Sequence, residues 1–274
     1  MSVEVKIKQK GLFKKKFQLV DIIKLSGLAH GVSDANYCII PNQVAEHTLL
    51  CDPSNPARGI DLSVSKSEVN LLLSLPTTAK EIRSFYQCAA KICAFFKTNQ
   101  YYREGEKVSI ADNEHFIELD TKASRAALEE MQKEYGSDYQ HFEIFGAVNP
   151  ISLGQKELER INGNLNNFAE LLRDLQTSDA RYAEPKVYDT ENGRVGVYAM
   201  KEGIPVIFPT KPYIVLNQIE NIEAWYVLFA GNETIPYSDF IENVHKEYYD
   251  ANHVIVTLTK EEKERLIEKY GVEL

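Results

Sequence analysis

Four cysteines in 274 residues (Cys38, Cys51, Cys88 and Cys93) are too few for a disulfide framework and fit the reduced thiols of a cytosolic protein. No stretch approaches the roughly 18 apolar residues of a spanning helix. Even the most apolar runs, 71–75 and 226–230, are short and bounded by polar groups. The opening MSVEVKIKQKGLFKKKF alternates apolar and charged residues and has no continuous apolar block, so a signal peptide is not expected. The recurrent nucleotide and hydrolase signatures are missing as well: no G-x-G-x-x-G follows a strand, and no G-x-x-x-x-G-K-[ST], H-E-x-x-H or G-x-S-x-G occurs. These absences leave a soluble, cytoplasmic chain with no membrane association and no recognisable cofactor.

What is present is ordinary globular composition, 44% hydrophobic and 26% charged, with a net charge of -9. The charge is uneven. Residues 1–17 hold six lysines and one glutamate, +5, so the remainder holds 25 basic against 39 acidic residues, -14. A body this acidic repels phosphate backbones, so nucleic-acid binding is not expected except through Lys6 to Lys16. Lys6, Lys8 and Lys10 read first as the polar face of an edge strand, where lysines discourage pairing with other chains.

Val3, Val5 and Ile7 alternate with charged residues as in a half-buried strand, with a turn at Gly11. A short helix from Phe17 to Leu25 closes at Gly27, and residues 28–58, rich in Pro, Asn, Asp and Ser, read as mostly loop. Strands follow at 60–64 and 69–75, the second buried on both sides. Thr78 and Glu81 form a capping box for a helix whose residues Ile82, Phe85, Tyr86, Ala89, Ile92, Cys93 and Phe96 share one face. A hairpin over 107–119 turning at Asp112-Asn113, a helix over 121–135 and a strand over 141–148 complete this part. The run 69–148 thus has the β-α-β-β-α-β order of a ferredoxin-like unit.

Pro150, Ser152 and Gln155 repeat the spacing of Pro76, Thr78 and Glu81, ahead of a second long helix weakened at Gly163. A hairpin over 186–200 turns at Glu191-Asn192-Gly193. Strands at 204–208, 213–216, 224–230 and 254–258 follow, and a helix capped by Thr259 and Glu262 closes the chain. Independent origin of the two similar units is preferred to duplication. Interleaved helices and hairpins predict an α+β fold with mixed or antiparallel sheets. The expected division is an N-terminal region 1–136 and a C-terminal region 137–274, continuous or separate.

The segments KGLFKKKFQLVDII, RGIDLS and LPTTAKEIRSFY together resemble a bacterial family of unknown function, number 4299. The resemblance implies a bacterial cytoplasmic origin and transfers no activity, cofactor or catalytic residue.

Chemistry must be read from clusters. His141 and Glu143 lie two apart on one strand face, the minimal general-base pair, although a strand with one core face and one wet face is the simpler account of them. His30, Cys38, His47 and Cys51 are a nitrogen and sulfur set of the kind that holds zinc, without the close ligand pairs of structural sites. His115 with Glu118, and His245 with Tyr248, Tyr249, Asp250 and His253, are looser groups. Ser63 to Lys66 spells S-x-x-K without its usual companions. Tyr101, Tyr102, Tyr248 and Tyr249 are aromatics of the type enriched at interfaces. The leading expectation is a non-enzymatic module that binds a protein partner or a second copy of itself. The alternative is an enzyme with an unrecognised site, a hydrolase or a metal-dependent one.

Overall fold

The alternation at the N-terminus forms β1 (Ser2–Lys8), whose Val3, Val5 and Ile7 face the core. The structure, a computed structural model, describes residues 1–9, 16–137, 139–191, 193–214 and 221–273. The turn expected at Gly11, most of the basic segment between Lys6 and Lys16, Asn192 of the second hairpin turn and the end of the strand expected at 213–216 lie outside the described residues. β1 is followed by α1 (Leu19–Ser26), which ends where Gly27 takes the left-handed φ of 75° that a helix C-terminus needs.

Three strands occupy the stretch expected to be loop: β2 (Ala29–Ser33), β3 (Ile39–Pro41) and β4 (His47–Cys51). They are too short, and too mixed in polarity, to show a clear period of two. β5 (Ile60–Val64) and β6 (Glu68–Ser74) follow. β6 buries one face and only half-buries the other, so it is not enclosed on both sides. After α2 (Ala79–Phe95) come β7 (Gln100–Arg103) and β8 (Glu106–Ser109), a hairpin that turns at Glu104-Gly105, where both φ values are positive. The hairpin expected to turn at Asp112-Asn113 is replaced by α3 (Asn113–Glu134). The inward residues Ile117, Asp120, Ser124 and Leu128 are three and four apart, and two of them are polar, which hid the helical period.

Strands β1 to β8 form one sheet in the order β3-β2-β4-β5-β6-β1-β7-β8. β1 therefore lies inside the sheet, paired with β6 along its length and with β7 at Val5 and Lys6, and is not the expected edge strand. α1 and α2 lay Ile22, Ile23, Phe85, Ala89 and Ile92 against Val5, Ile7, Leu62 and Leu71. Burial of each large side chain contributes about 1.5–3 kcal/mol.

β9 (Phe142–Phe145) and β10 (Pro150–Leu153) form a separate two-stranded sheet. The β-α-β-β-α-β succession is thus present in order, but its last strand does not join the sheet of its first. The second long helix is two, α4 (Gln155–Ile161) and α5 (Leu165–Gln176), broken where Asn162 and Gly163 both adopt positive φ. Its cap is Gly154, whose N–H meets Glu157 at 3.0 Å, while Ser152 lies within β10 and caps nothing.

Residues 1–177 make one compact unit and 178–274 a second. The point 136/137 falls inside the first unit. Backbone hydrogen bonds from Ala147 N to Ala57 O and from Ile39 N to Val148 O, both 2.8 Å, tie residues beyond 137 to the loop before β5 and to β3.

The second unit contains β11 (Arg181–Tyr182), β12 (Pro185–Thr190), β13 (Gly193–Met200), β14 (Val206–Pro209), β15 (Ile222–Phe229), β16 (Thr234–Pro236), α6 (Tyr237–Asn243), β17 (Glu247–Tyr248), β18 (His253–Val256) and α7 (Lys260–Tyr270). They form two four-stranded sheets, β11-β14-β18-β17 and β12-β13-β15-β16. β13 pairs parallel with β15, and β11 with β14, and the other pairs are antiparallel. Phe208, Phe229, Phe240 and Tyr198 fill the core of this unit. The α7 capping box forms as expected, Thr259 Oγ1 accepting from Glu262 N at 3.1 Å. The fold is α+β with mixed and antiparallel sheets.

Candidate functional site

His141 and Glu143 do approach, with Nε2 and Oε1 3.6 Å apart. The same carboxylate accepts a hydrogen bond from Ser152, its register partner on β10, whose side chain is fully buried. The three groups are in the order hydroxyl, carboxylate, imidazole. A nucleophile needs the imidazole next to the hydroxyl, so this arrangement satisfies a buried serine and does not activate it.

The zinc candidates do not converge. His47 and Cys51 stand at the two ends of β4, about 13 Å apart at about 3.3 Å per residue. His30 pairs with Leu50, whereas Cys51 pairs with Ala29 and points to the other face. His47 Nδ1 instead lies 3.0 Å from Asp61, whose hydrogen bond, reinforced by its charge, holds the imidazole above its ordinary value. Burial pushes the Cys51 thiol up to about 11, unfavourable for a thiolate ligand. Among the described residues no group of three or more His, Cys, Asp or Glu is placed to hold a metal.

Of the tyrosines, Tyr101 and Tyr249 are buried, Tyr102 is half-buried and Tyr248 is exposed on β17. Tyr101 donates to Asn113 Oδ1 at 2.7 Å, which makes it part of the interior.

Two buried networks carry most of the polar chemistry of the first unit. Glu81, expected to reach back and complete its capping box, turns instead to the loop before β5. It accepts from Gly59 N (2.7 Å), Arg58 N (3.0 Å) and Thr77 Oγ1 (2.5 Å). Burial raises its carboxyl above the ordinary range, against the pull of these donors. Arg58, its own pKa lowered by burial, spends its guanidinium on two carbonyls, Phe145 O and Leu75 O. In the second network Asp120 accepts from Tyr86 Oη and Arg103 Nη2, joining α2, β7 and α3.

In the second unit Asp250 and His253 separate from the loose cluster of histidines and tyrosines and form an ordered chain. Asp250 Oδ1 lies 2.7 Å from His253 Nδ1 and also accepts the His253 backbone N–H at 2.9 Å. His253 Nε2 meets Tyr182 Oη at 2.6 Å and Tyr213 Oη at 3.0 Å. An ionised Asp250 places the ring proton on Nδ1, so that Nε2 accepts from a tyrosine O–H. The chain can relay a proton, but the imidazole is wholly enclosed. Tyr182 and Tyr213 lie 71 and 40 residues from His253 in sequence, which put them beyond reach of spacing arguments.

At the surface, β12 is the longest strand that ends a sheet among the described residues, at six residues, against four for β8, β9 and β10, three for β3 and β16 and two for β11 and β17. Among the described residues its outer edge pairs with no strand, and Tyr188 on it is 48% exposed. Short and charged edges are how proteins avoid unwanted pairing, and β12 is guarded only by Pro185, Lys186 and Asp189.

Among the described residues no helix is long and apolar enough to cross a membrane. No curated protein and no solved structure matches the chain. The model of a family described as "Domain of unknown function (DUF4299)" matches residues 2–266 of the 274, and the chain belongs to that family.

Proposed function

We propose that the protein is a non-enzymatic cytoplasmic module that takes up an extended segment of a protein partner along β12. The observation that carries this reading is the six-residue open edge with Tyr188 exposed on it. Main-chain hydrogen bonds to such an edge supply affinity, and alternate side chains supply selectivity. The engagement of the candidate acidic groups within the chain supports binding over catalysis. Glu143, Glu81, Asp120 and Asp250 are each engaged by groups of the chain itself. All four cysteines are free thiols, as suits a reducing compartment. The enzyme alternative has one observation in its favour, the Asp250, His253 and Tyr182 chain, and its enclosure places it second.

The test is a photo-crosslinking residue at position 188, with the equally exposed Tyr139 of the first unit as the control position. A discrete adduct formed in cells at 188, absent at 139 and competed by excess unlabelled protein, is the expected result. Adducts at both positions alike, or at neither, overturn the proposal.

A further inference from the structure

The second unit carries an open, solvent-facing pocket of about 470 Å³ at the carboxyl ends of the parallel pair β13 and β15. Its walls are largely apolar, with Met200, Val206, Leu228 and Phe229 among them. Its charged lining is Arg181, Lys186, Lys201 and one carboxylate, Glu184. Among the described residues none of the three cations has a carboxylate partner within ion-pair distance. This local excess of +2 stands out because the unit as a whole, with ten Lys and Arg against seventeen Asp and Glu, carries -7. Glu202 and Glu233, sequence neighbours of the wall, lie 4.0 and 3.7 Å from Lys263 Nζ, which itself donates to Ala230 O at 2.8 Å. Those two carboxylates are thus directed to another cation.

We propose that this pocket is a binding site for an amphipathic carboxylate, a medium-length acyl or arylalkyl chain with one anionic head held by the unpaired cations. Pockets of this size with apolar walls and few polar groups are the usual form of small-ligand sites. At about 30 Å³ per heavy atom, the share of one water in the liquid, the space holds on the order of fifteen heavy atoms. Decanoate, with twelve, fits. The site requires no partner protein, although it shares Lys186 with β12.

Titration calorimetry of the full chain with decanoate, kept below its micellar concentration, tests the assignment. Binding is expected on the order of 0.1 mM. It should weaken about fourfold for each methylene removed, the factor that corresponds to about 0.8 kcal/mol per methylene. Decyltrimethylammonium should bind at least tenfold more weakly than decanoate. Lys201→Glu should weaken decanoate at least fivefold, and Lys8→Glu, on the first unit, should leave it unchanged. Leu228→Trp, which fills the space, should abolish binding. If that variant loses its circular dichroism, Lys201→Glu decides alone. Absence of binding below 1 mM overturns the proposal, as does equal binding of the two head-group charges.

Discussion

Replacing Glu81 by alanine separates a load-carrying buried carboxylate from an idle one. Three donors lose their acceptor in this variant: the backbone N–H groups of Gly59 and Arg58 and the Thr77 hydroxyl. The hydroxyl can rotate to another acceptor, whereas the two amides are fixed by the chain. Each buried donor left unmet costs about 1–3 kcal/mol, so two give about 2–6. Part is returned, because the variant no longer buries a carboxyl that burial itself disfavours when charged. The expected net loss is about 2–4 kcal/mol, large against the usual total of about 5–15. α2 should survive, since Thr78 Oγ1 caps the backbone N–H of residue 81 and that contact does not need the glutamate side chain.

The pH dependence has a definite sign. Burial raises the folded-state carboxyl above its ordinary 4.5. Its stabilising contribution is complete below 4.5 and declines as the pH rises through the folded value. The penalty of Glu81→Ala should therefore be greater at pH 4.5 than at pH 7. Guanidinium unfolding followed by circular dichroism gives the loss, and amide exchange over residues 57–60 reports the loop directly. A loss under about 1 kcal/mol, with exchange at Gly59 as slow as in the parent, refutes the reasoning.

Asp120→Ala should cost about 3–5 kcal/mol in urea unfolding, because it leaves Arg103 and the Tyr86 hydroxyl without their shared acceptor. Tyr86→Phe, which deletes only the hydroxyl, should cost about 1 kcal/mol. Burial pushes Cys51 to about 11 and Cys88 to about 12, so a thiol reagent at pH 8 should modify half-buried Cys38 promptly and the other cysteines only on unfolding. Rapid reaction of two or more thiols in the native protein contradicts this. Lys80 and Ser54 hold the Asp52 carboxyl down at about 2, so its contribution is present above its ordinary 3.8 and lost as the pH falls toward 2. Lys80→Ala should move the Asp52 titration, read by carboxyl NMR, upward toward 3.8.

The sequence made legible those elements whose own period or cap announces them. β1, β5, α2 and α7 were readable because alternation, a broad apolar face or a Thr-x-x-Glu box lies within a few residues. β2 to β4 were not, since their hydrophobicity is shared across neighbouring strands. α3 was shortened because Asp120 and Ser124 occupy core positions that its period assigns to apolar residues. The site showed the same limit. His141 and Glu143, two residues apart, were readable as a pair, but their link to Ser152 depends on the register of β9 and β10. Glu81 was identified as a cap, while its reach to Arg58 and Gly59 spans 22 residues and more. The partners of His253, and the pocket at the ends of β13 and β15, arise only from strand order.

The central claim, that an extended segment of a partner joins β12, is tested most directly by amide exchange of the intact protein, alone and with the partner captured at position 188. Strand addition predicts slowed exchange at alternate amides between 186 and 190, with the rest of the second unit little changed. Unchanged exchange along β12, with protection appearing elsewhere, contradicts it.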